Sequence, residues 1–103
     1  YGCYALEKIG KLNFKNATVQ TNNNNIFWGC NSLIDIEEIT NISVTLNFSA
    51  CTLLNHSTLL KILNGLVDLT GEEAKTLTLG TTNLAKLTDE EKAIATDKNW
   101  ILK

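Results

Sequence analysis

The sequence predicts an α/β protein built as a solenoid, in which short strands stack in successive coils and C-terminal helix–strand units cover the last coil. Three observations lead to this prediction. A motif recurs at a fixed spacing in the first half, short alternating segments follow it, and the second half spaces its apolar residues as helices do. A fixed period of roughly 20–30 residues is typical of stacked repeats rather than of a globule closed on itself.

The repeated motif is an aromatic residue, glycine and cysteine, followed by aliphatic residues at intervals of three. Cys3 and Cys30, which lie 27 positions apart, mark the two complete copies. The aliphatic residues are Leu6, Ile9 and Leu12 in the first copy and Leu33, Ile36, Ile39 and Ile42 in the second. A degraded third copy begins at Cys51, 21 positions after Cys30, and keeps Leu54. The spacing predicts coils that bury one aliphatic side chain per turn and stack their cysteines.

The first two coils are predicted at residues 1–21 and 26–47, and each contains a short strand. The segments 12–14 and 44–48 alternate apolar and polar residues, as half-buried strands do. Between the coils, residues 22–25 are four asparagines, which predict a turn or an exposed loop.

From Asn55 onward the apolar spacing is helical. Apolar side chains between Leu59 and Leu69 mark one face of a helix, with Asn55 or Ser57 as its N-cap. Gly65 weakens this helix by roughly 1 kcal/mol relative to alanine, so that packing must hold it.

The last third of the chain predicts strand, helix and strand. Thr76–Gly80 alternates as a strand, and Thr88–Glu91 forms a capping box for a helix that runs to about Thr96. Asn99 closes that helix, and Trp100–Leu102 is the last strand. We expect these strands to extend the ladder of the repeats and the helices to cover the terminal coil, which has no further neighbour.

Composition is that of one domain of 103 residues, with repeat coils at 1–54 and a capping region at 55–103. Because the chain lacks an initiator methionine and starts inside a motif, we expect it to be a fragment of a longer solenoid. Its nine basic residues are all lysines, scattered singly, and the net charge is −2, which disfavours nucleic-acid binding. No apolar run is long enough to cross a bilayer.

The three cysteines are an odd number, which excludes a closed disulfide framework within the chain. Their shared position in the repeats favours buried, small apolar side chains. A bridge between Cys3 and Cys30 and a metal site are the alternatives, although no Cys-x-x-Cys or Cys-x-x-His spacing supports a metal.

The motif resembles the BspA-type leucine-rich repeats of bacterial surface proteins. It is carried by Tyr1-Gly2-Cys3, by Phe27-Trp28-Gly29-Cys30 and, in degraded form, by Phe48-Ser49-Ala50-Cys51. The segment from Leu59 to Leu102 is also similar to the segment that closes such proteins, and similar tails occur in phage tail and baseplate proteins. One departure is Asn83, which stands one position late for the usual Leu-x-Leu-x-x-Asn spacing.

The resemblance implies a leucine-rich-repeat-like solenoid, extracellular or at the cell surface, that serves adhesion or protein recognition without catalytic residues, cofactor or metal. Its partner would be a protein or a cell-surface component. The alternative is a structural or receptor-binding protein of a phage or tailocin tail or baseplate, acting as an oligomer. Under either interpretation no membrane insertion is expected in this segment.

Residues suited to catalysis are few. His56 is the only histidine and is expected to cap a helix or to face solvent, while Cys51 is better explained as core than as a nucleophile paired with it. The carboxylate pairs are Glu37-Glu38, Glu72-Glu73 and Glu90-Glu91. Adjacent glutamates do not face each other on a strand or helix, which disfavours acid–base catalysis.

The adjacent aromatic residues Phe27 and Trp28 are the remaining lead. On an extended segment, neighbouring side chains point to opposite faces. One of the two is therefore a candidate for an exposed contact with a partner, unless this corner buries both between stacked coils.

Overall fold

The computed structural model describes residues 5–15, 27 and 29–103. Within them the chain forms a small α/β domain of short parallel strands and three helices, without a closed sheet, which confirms the predicted α/β class. The elements are β1 (Lys8–Asn13), β2 (Asp35–Thr40), β3 (Leu46–Asn47), α1 (His56–Gly65), β4 (Thr76–Thr78), α2 (Thr81–Leu84), α3 (Asp89–Thr96) and β5 (Ile101–Leu102). The predictions for Tyr1-Gly2-Cys3, for residues 22–25 and for Trp28 lie outside the described residues.

Strands β1 and β2 pair in parallel at the spacing of the repeat. Ile9 lies opposite Ile36 and Leu12 opposite Ile39, in both cases 27 positions apart. The isoleucines of β2 are buried, and Glu37 between them is exposed. On β1 the matching aliphatics are only partly buried, and the preceding Leu6 is 42% exposed. The first row of the motif thus lies at the margin of the core.

In the second copy, the aliphatic residues at intervals of three predict a coil that buries one aliphatic side chain per turn. Residues 35–40 form a six-residue strand instead. Ile36 and Ile39 both face inward with two exposed glutamates between them. The offset of 27 is the same on both sides of Gly10 and Glu37, and both strands expose two successive residues at this point.

The second and third copies of the motif form the same turn 21 positions apart. The Cys30 N–H donates to the Phe27 carbonyl at 3.1 Å, and the Cys51 N–H donates to the Phe48 carbonyl at 2.8 Å. The next bond repeats as well, from Leu33 to Cys30 at 3.3 Å and from Leu54 to Cys51 at 3.4 Å. The two phenylalanine rings stack with their centroids 4.4 Å apart.

The two described cysteines are buried at matching positions, yet their chemistry differs. Cys30 is disulfide-bonded, so that the preferred expectation of a simple apolar side chain is wrong for it and a bridge, one of the alternatives, is present, while Cys51 keeps a free thiol. Cys3 lies outside the described residues, so that the stacking of Cys3 on Cys30 stays a prediction.

The C-terminal strands extend the ladder of the predicted repeat strand 44–48, which contains β3, but not that of β1 and β2, which form a separate sheet. β4 pairs in parallel with β3 and β5 pairs in parallel with β4, so that Leu46, Leu77 and Leu102 form one row across this three-stranded sheet. On the other side of the core, α1 packs against β2 and α3 packs against α1.

Helix α1 begins as predicted and ends earlier than predicted. The Asn55 side chain accepts a hydrogen bond from the Thr58 N–H at 2.8 Å, which satisfies one of the free amides of the first turn. The helix stops at Gly65 instead of reaching Leu69, because Leu66 is extended and bridges to Ile42 in parallel. A Cβ atom on Gly65 would collide with the Ile39 carbonyl oxygen, so glycine permits this close approach.

The end of the chain follows the predicted order, with one addition. The capping box of Thr88 and Glu91 is present, and Asn99 adopts a positive φ of 66° before β5. The addition is the single turn α2, which follows Gly80 at a φ of 86°. This turn takes up the extra residue before Asn83.

Asn83 is fully buried and bonds the neighbouring segment. Its amide nitrogen lies 3.1 Å from the Cys51 carbonyl, 3.4 Å from that of Phe48 and 2.9 Å from that of Leu79. The Lys86 N–H donates to the Asn83 carbonyl at 3.0 Å, just as the Leu54 N–H donates to the Cys51 carbonyl. Asn83 thus occupies in its turn the place that Cys51 occupies in the turn before.

Candidate functional site

A groove of about 550 Å³ lies between β2 and α1 on the outer side of the molecule. Its lining residues are Glu37, Glu38, Ile39 and Thr40 of β2 and His56, Ser57, Leu60, Lys61, Asn64 and Gly65 of α1. The volume falls within the range of roughly 300–1,000 Å³ that is usual for ligand sites.

The groove lies where helix α1 packs against strand β2. Two contacts fix the helix against the strand at opposite ends. At one end the Ile36 N–H donates to the Thr58 hydroxyl at 3.3 Å, and at the other Gly65 lies against the Ile39 carbonyl. Between these anchors the rounded outer surface of α1 and the strand leave a depression.

The cation of the groove, Lys61, is held by the protein itself. Its ammonium donates to the Ile36 carbonyl at 3.0 Å and lies 3.5 Å from the Asp35 carboxylate. The same carboxylate accepts a bond from the Thr58 hydroxyl at 2.8 Å. The Thr58 bond, with Lys61 as a further cause, lowers the pKa of Asp35.

His56 is engaged in the same way at the other end of the groove. Its Nε2 lies 2.8 Å from a carboxylate oxygen of Glu91, and the other oxygen of Glu91 accepts the Thr88 N–H at 2.8 Å. The Thr88 bond first, and the His56 contact second, lower the pKa of Glu91. The contact joins the first turn of α1 to the first turn of α3.

The Glu37 and Glu38 carboxylates of β2 are the charges in the groove lining that remain available. Glu37 reaches Lys11 at 3.9 Å, but these side chains are 62% and 69% exposed, so the pair is weak. Glu38 has no hydrogen-bond or ion-pair partner within the described residues. The groove thus offers two solvated carboxylates beside the apolar side chain of Leu60.

Phe27, predicted as one of two candidate contact residues, lies in the core. Only 3% of its surface is exposed, and its ring stacks on Phe48. An exposed aromatic contact at this corner would have to come from Trp28, which lies outside the described residues.

The residues weighed for catalysis are not brought together. Cys51 is fully buried, its sulfur lies 3.6 Å from the Phe27 carbonyl, and burial raises the pKa of its thiol to about 11. A thiol with that pKa is almost wholly protonated near neutral pH and is a poor nucleophile. His56 faces the groove, with 52% of its side chain exposed.

The predictions missed the network of Asp35, Thr58 and Lys61. The sequence offered a signal for Lys61 alone, which shares the polar face of the predicted helix with Ser57 and Asn64. No group of three or more His, Cys, Asp or Glu side chains in the described part of the chain could hold a metal ion. In that part, too, no helix is both long and apolar enough to cross a membrane.

Comparison of the chain with protein-family models, with curated proteins and with solved structures finds no match. The interpretation of the groove therefore depends on its own geometry.

Proposed function

We propose that this chain is a non-enzymatic binding module of a leucine-rich-repeat-like solenoid, which serves adhesion or protein recognition at a bacterial cell surface. The observation that supports it best is the agreement between sequence period and backbone pairing. The 27-residue spacing of the motif is the register of β1 on β2, and the 21-residue spacing relates the two Phe-x-x-Cys-x-x-Leu turns.

The second sheet is consistent with the same proposal. Leucine-rich repeats place a strand of the form Leu-x-Leu before an asparagine or cysteine that bonds backbone within the coil. Leu46-x-Phe48-x-x-Cys51 has that spacing, and Leu77-x-Leu79 leads to Asn83 with one additional residue. The three carbonyls near the Asn83 amide are the kind of bonding that such a position has.

A recognition role follows from how such stacks expose their side chains. Each coil contacts only its neighbours, so a stack presents long surfaces that are not needed for its own closure. The groove between β2 and α1 lies on such a surface and has the size of a ligand site. The buried thiol and the engaged histidine also favour recognition over nucleophilic chemistry.

The test is direct binding of the purified chain to surface-derived proteins. Biolayer interferometry would compare immobilised extracellular-matrix proteins and bacterial envelope protein fractions, with the chain in solution up to about 100 μM. We expect saturable binding to at least one fraction. The control is Leu33→Asp, which puts a charge at a fully buried position and should abolish both folding and binding. Binding that is absent throughout, or equal for the unfolded control, would contradict the proposal.

A further inference from the structure

We infer that the groove between β2 and α1 binds a peptide segment of the partner that carries an arginine or lysine side chain next to an apolar one. This inference rests on the proposed function, and it names the partner's chemistry. The charged side chains of the groove differ in whether they already have a partner within this chain.

Both basic side chains of the groove have carboxylate partners from this chain. Lys61 lies 3.5 Å from Asp35, and His56 lies 2.8 Å from Glu91. An incoming anion would therefore have to displace an existing contact. The groove is not an anion site in this arrangement.

The carboxylates on the opposite wall are in the reverse situation. Glu38 lacks a partner within the described residues, and Glu37 has only the 3.9 Å contact to an exposed lysine. A cation that binds here would lie beside two carboxylates. It would displace at most one weak, solvent-exposed ion pair, that of Glu37 and Lys11. Charge complementarity therefore selects a cation.

The floor and size of the groove define the rest of the ligand. Leu60 and Gly65, both partly exposed, supply apolar surface beside the carboxylates, against which the methylene groups of a long basic side chain can pack. A volume of about 550 Å³ is larger than one such side chain needs. The remaining space fits an adjacent apolar residue and its peptide backbone.

Polar atoms on the helix wall suit that backbone. Ser57 and Asn64 line the groove, and neither side chain forms a hydrogen bond or ion pair within the described residues. A hydroxyl and an amide can donate to and accept from peptide groups. The same surface thus provides contacts for a cationic head, an apolar neighbour and the chain that joins them.

The probe is an end-blocked, fluorescein-labelled hexapeptide with one arginine between two leucines in an alanine and serine background. Its matched twin carries citrulline, which is isosteric with arginine but neutral. We expect the arginine peptide to bind the chain at least fivefold more tightly than its twin at low salt. The difference should shrink in 0.5 M NaCl, where exposed charges are screened within about 4 Å.

Variants of the protein test whether peptide binding depends on the carboxylates of the groove or on the overall negative charge. The double substitution E37Q/E38Q should weaken arginine-peptide binding by roughly fivefold to tenfold, because two exposed charge pairs are lost. The matched control E72Q/E73Q removes the same net charge from an exposed adjacent pair outside the groove lining and should leave affinity unchanged. Thermal melts of each variant verify the fold.

A second pair of variants changes the opposite wall. Asn64→Lys places a competing ammonium on the exposed helix surface and should weaken binding, whereas Asn64→Glu should strengthen it. Equal affinity for the arginine and citrulline peptides would overturn the inference, as would equal effects of the two glutamine doubles. If the arginine peptide does not bind the chain while surface-derived proteins still do, only the assignment of the groove is wrong. If both fail, the proposed function is wrong as well.

Discussion

Asn83 shows how one buried polar side chain can hold two segments of backbone together. The carbonyls of Phe48 and Cys51 each accept a turn bond from their own segment, and the Asn83 amide approaches both of them from the next segment. The side-chain oxygen of Asn83 lies 3.2 Å from the Lys86 ammonium. Every polar atom of this side chain is thus used in the core, where an unpaired one would be costly.

We expect Asn83→Ala to lower the free energy of unfolding by about 1–3 kcal/mol, since a fully buried amide and its hydrogen bonds are removed. The measurement is urea denaturation at pH 7 followed by circular dichroism. Asn31→Ala, at an exposed position, is the control and should change the free energy by less than about 0.5 kcal/mol. Similar values for the two variants would show that Asn83 does not link the segments energetically.

Among the elements, α1 decides the shape of the groove through its last residue. Glycine at position 65 is unfavourable for a helix, yet a side chain there would collide with the backbone of β2. We expect Gly65→Ala to destabilise the protein by about 1–3 kcal/mol, although alanine is the better helix former. The control is Gly10→Ala on β1, where a Cβ meets nothing within 4 Å. An unfolding midpoint that rises in the Gly65 variant would contradict this role of glycine.

The hydrogen bonds of the Glu91 carboxylate, first with the Thr88 N–H and second with His56 of α1, make stability depend on pH at the acidic end. The pKa of Glu91 is lowered from its ordinary value of 4.5 in the folded protein. The stability that its ionised form contributes is therefore complete above about pH 4.5 and is lost as the pH falls through the lower folded-state pKa. Asp35 and Asp68, whose pKa values are also lowered, contribute in the same direction.

Replacing Glu91 by glutamine should remove part of this dependence. We expect a lower melting temperature than wild type at pH 7 and a smaller drop between pH 5 and pH 2, measured by calorimetry at both ends. Glu90→Gln is the matched control, because Glu90 lies in the same first turn of α3 but is exposed. If the melting temperatures of the two variants fell by the same amount between pH 5 and pH 2, the contacts of Glu91 with His56 and Thr88 would not be the source of the pH dependence.

For the molecule as a whole, local signals gave more of the fold than of the site. The N-cap at Asn55, the capping box at Thr88 and the 27-residue register could be predicted because each depends on residues close together or on a repeated pattern. The separation into two ladders could not, since it depends on which distant segments of the chain meet in the fold. The groove lies between two of these segments, β2 and α1, so the sequence pattern did not reveal it.

Duplication of one coil tests the solenoid proposal at this scale. Residues 34–54 span the 21-residue repeat, and a second copy placed after Leu54 reproduces at its start the Leu–Ile junction found at residues 33–34. The two copies of β2 would then pair as β1 pairs with β2, and the second copy would receive α1.

A stack tolerates such an insertion because each coil needs only its neighbours, whereas a core closed on itself would have to open. We expect a cooperative unfolding transition and a maximum dimension, from small-angle X-ray scattering, that grows by about 5 Å, the spacing of adjacent strands. The control inserts the same 21 residues in scrambled order at the same point. If both insertions unfold the chain, or if both leave its length unchanged, the coils do not form a one-dimensional stack, and the recognition surface proposed on it loses its basis.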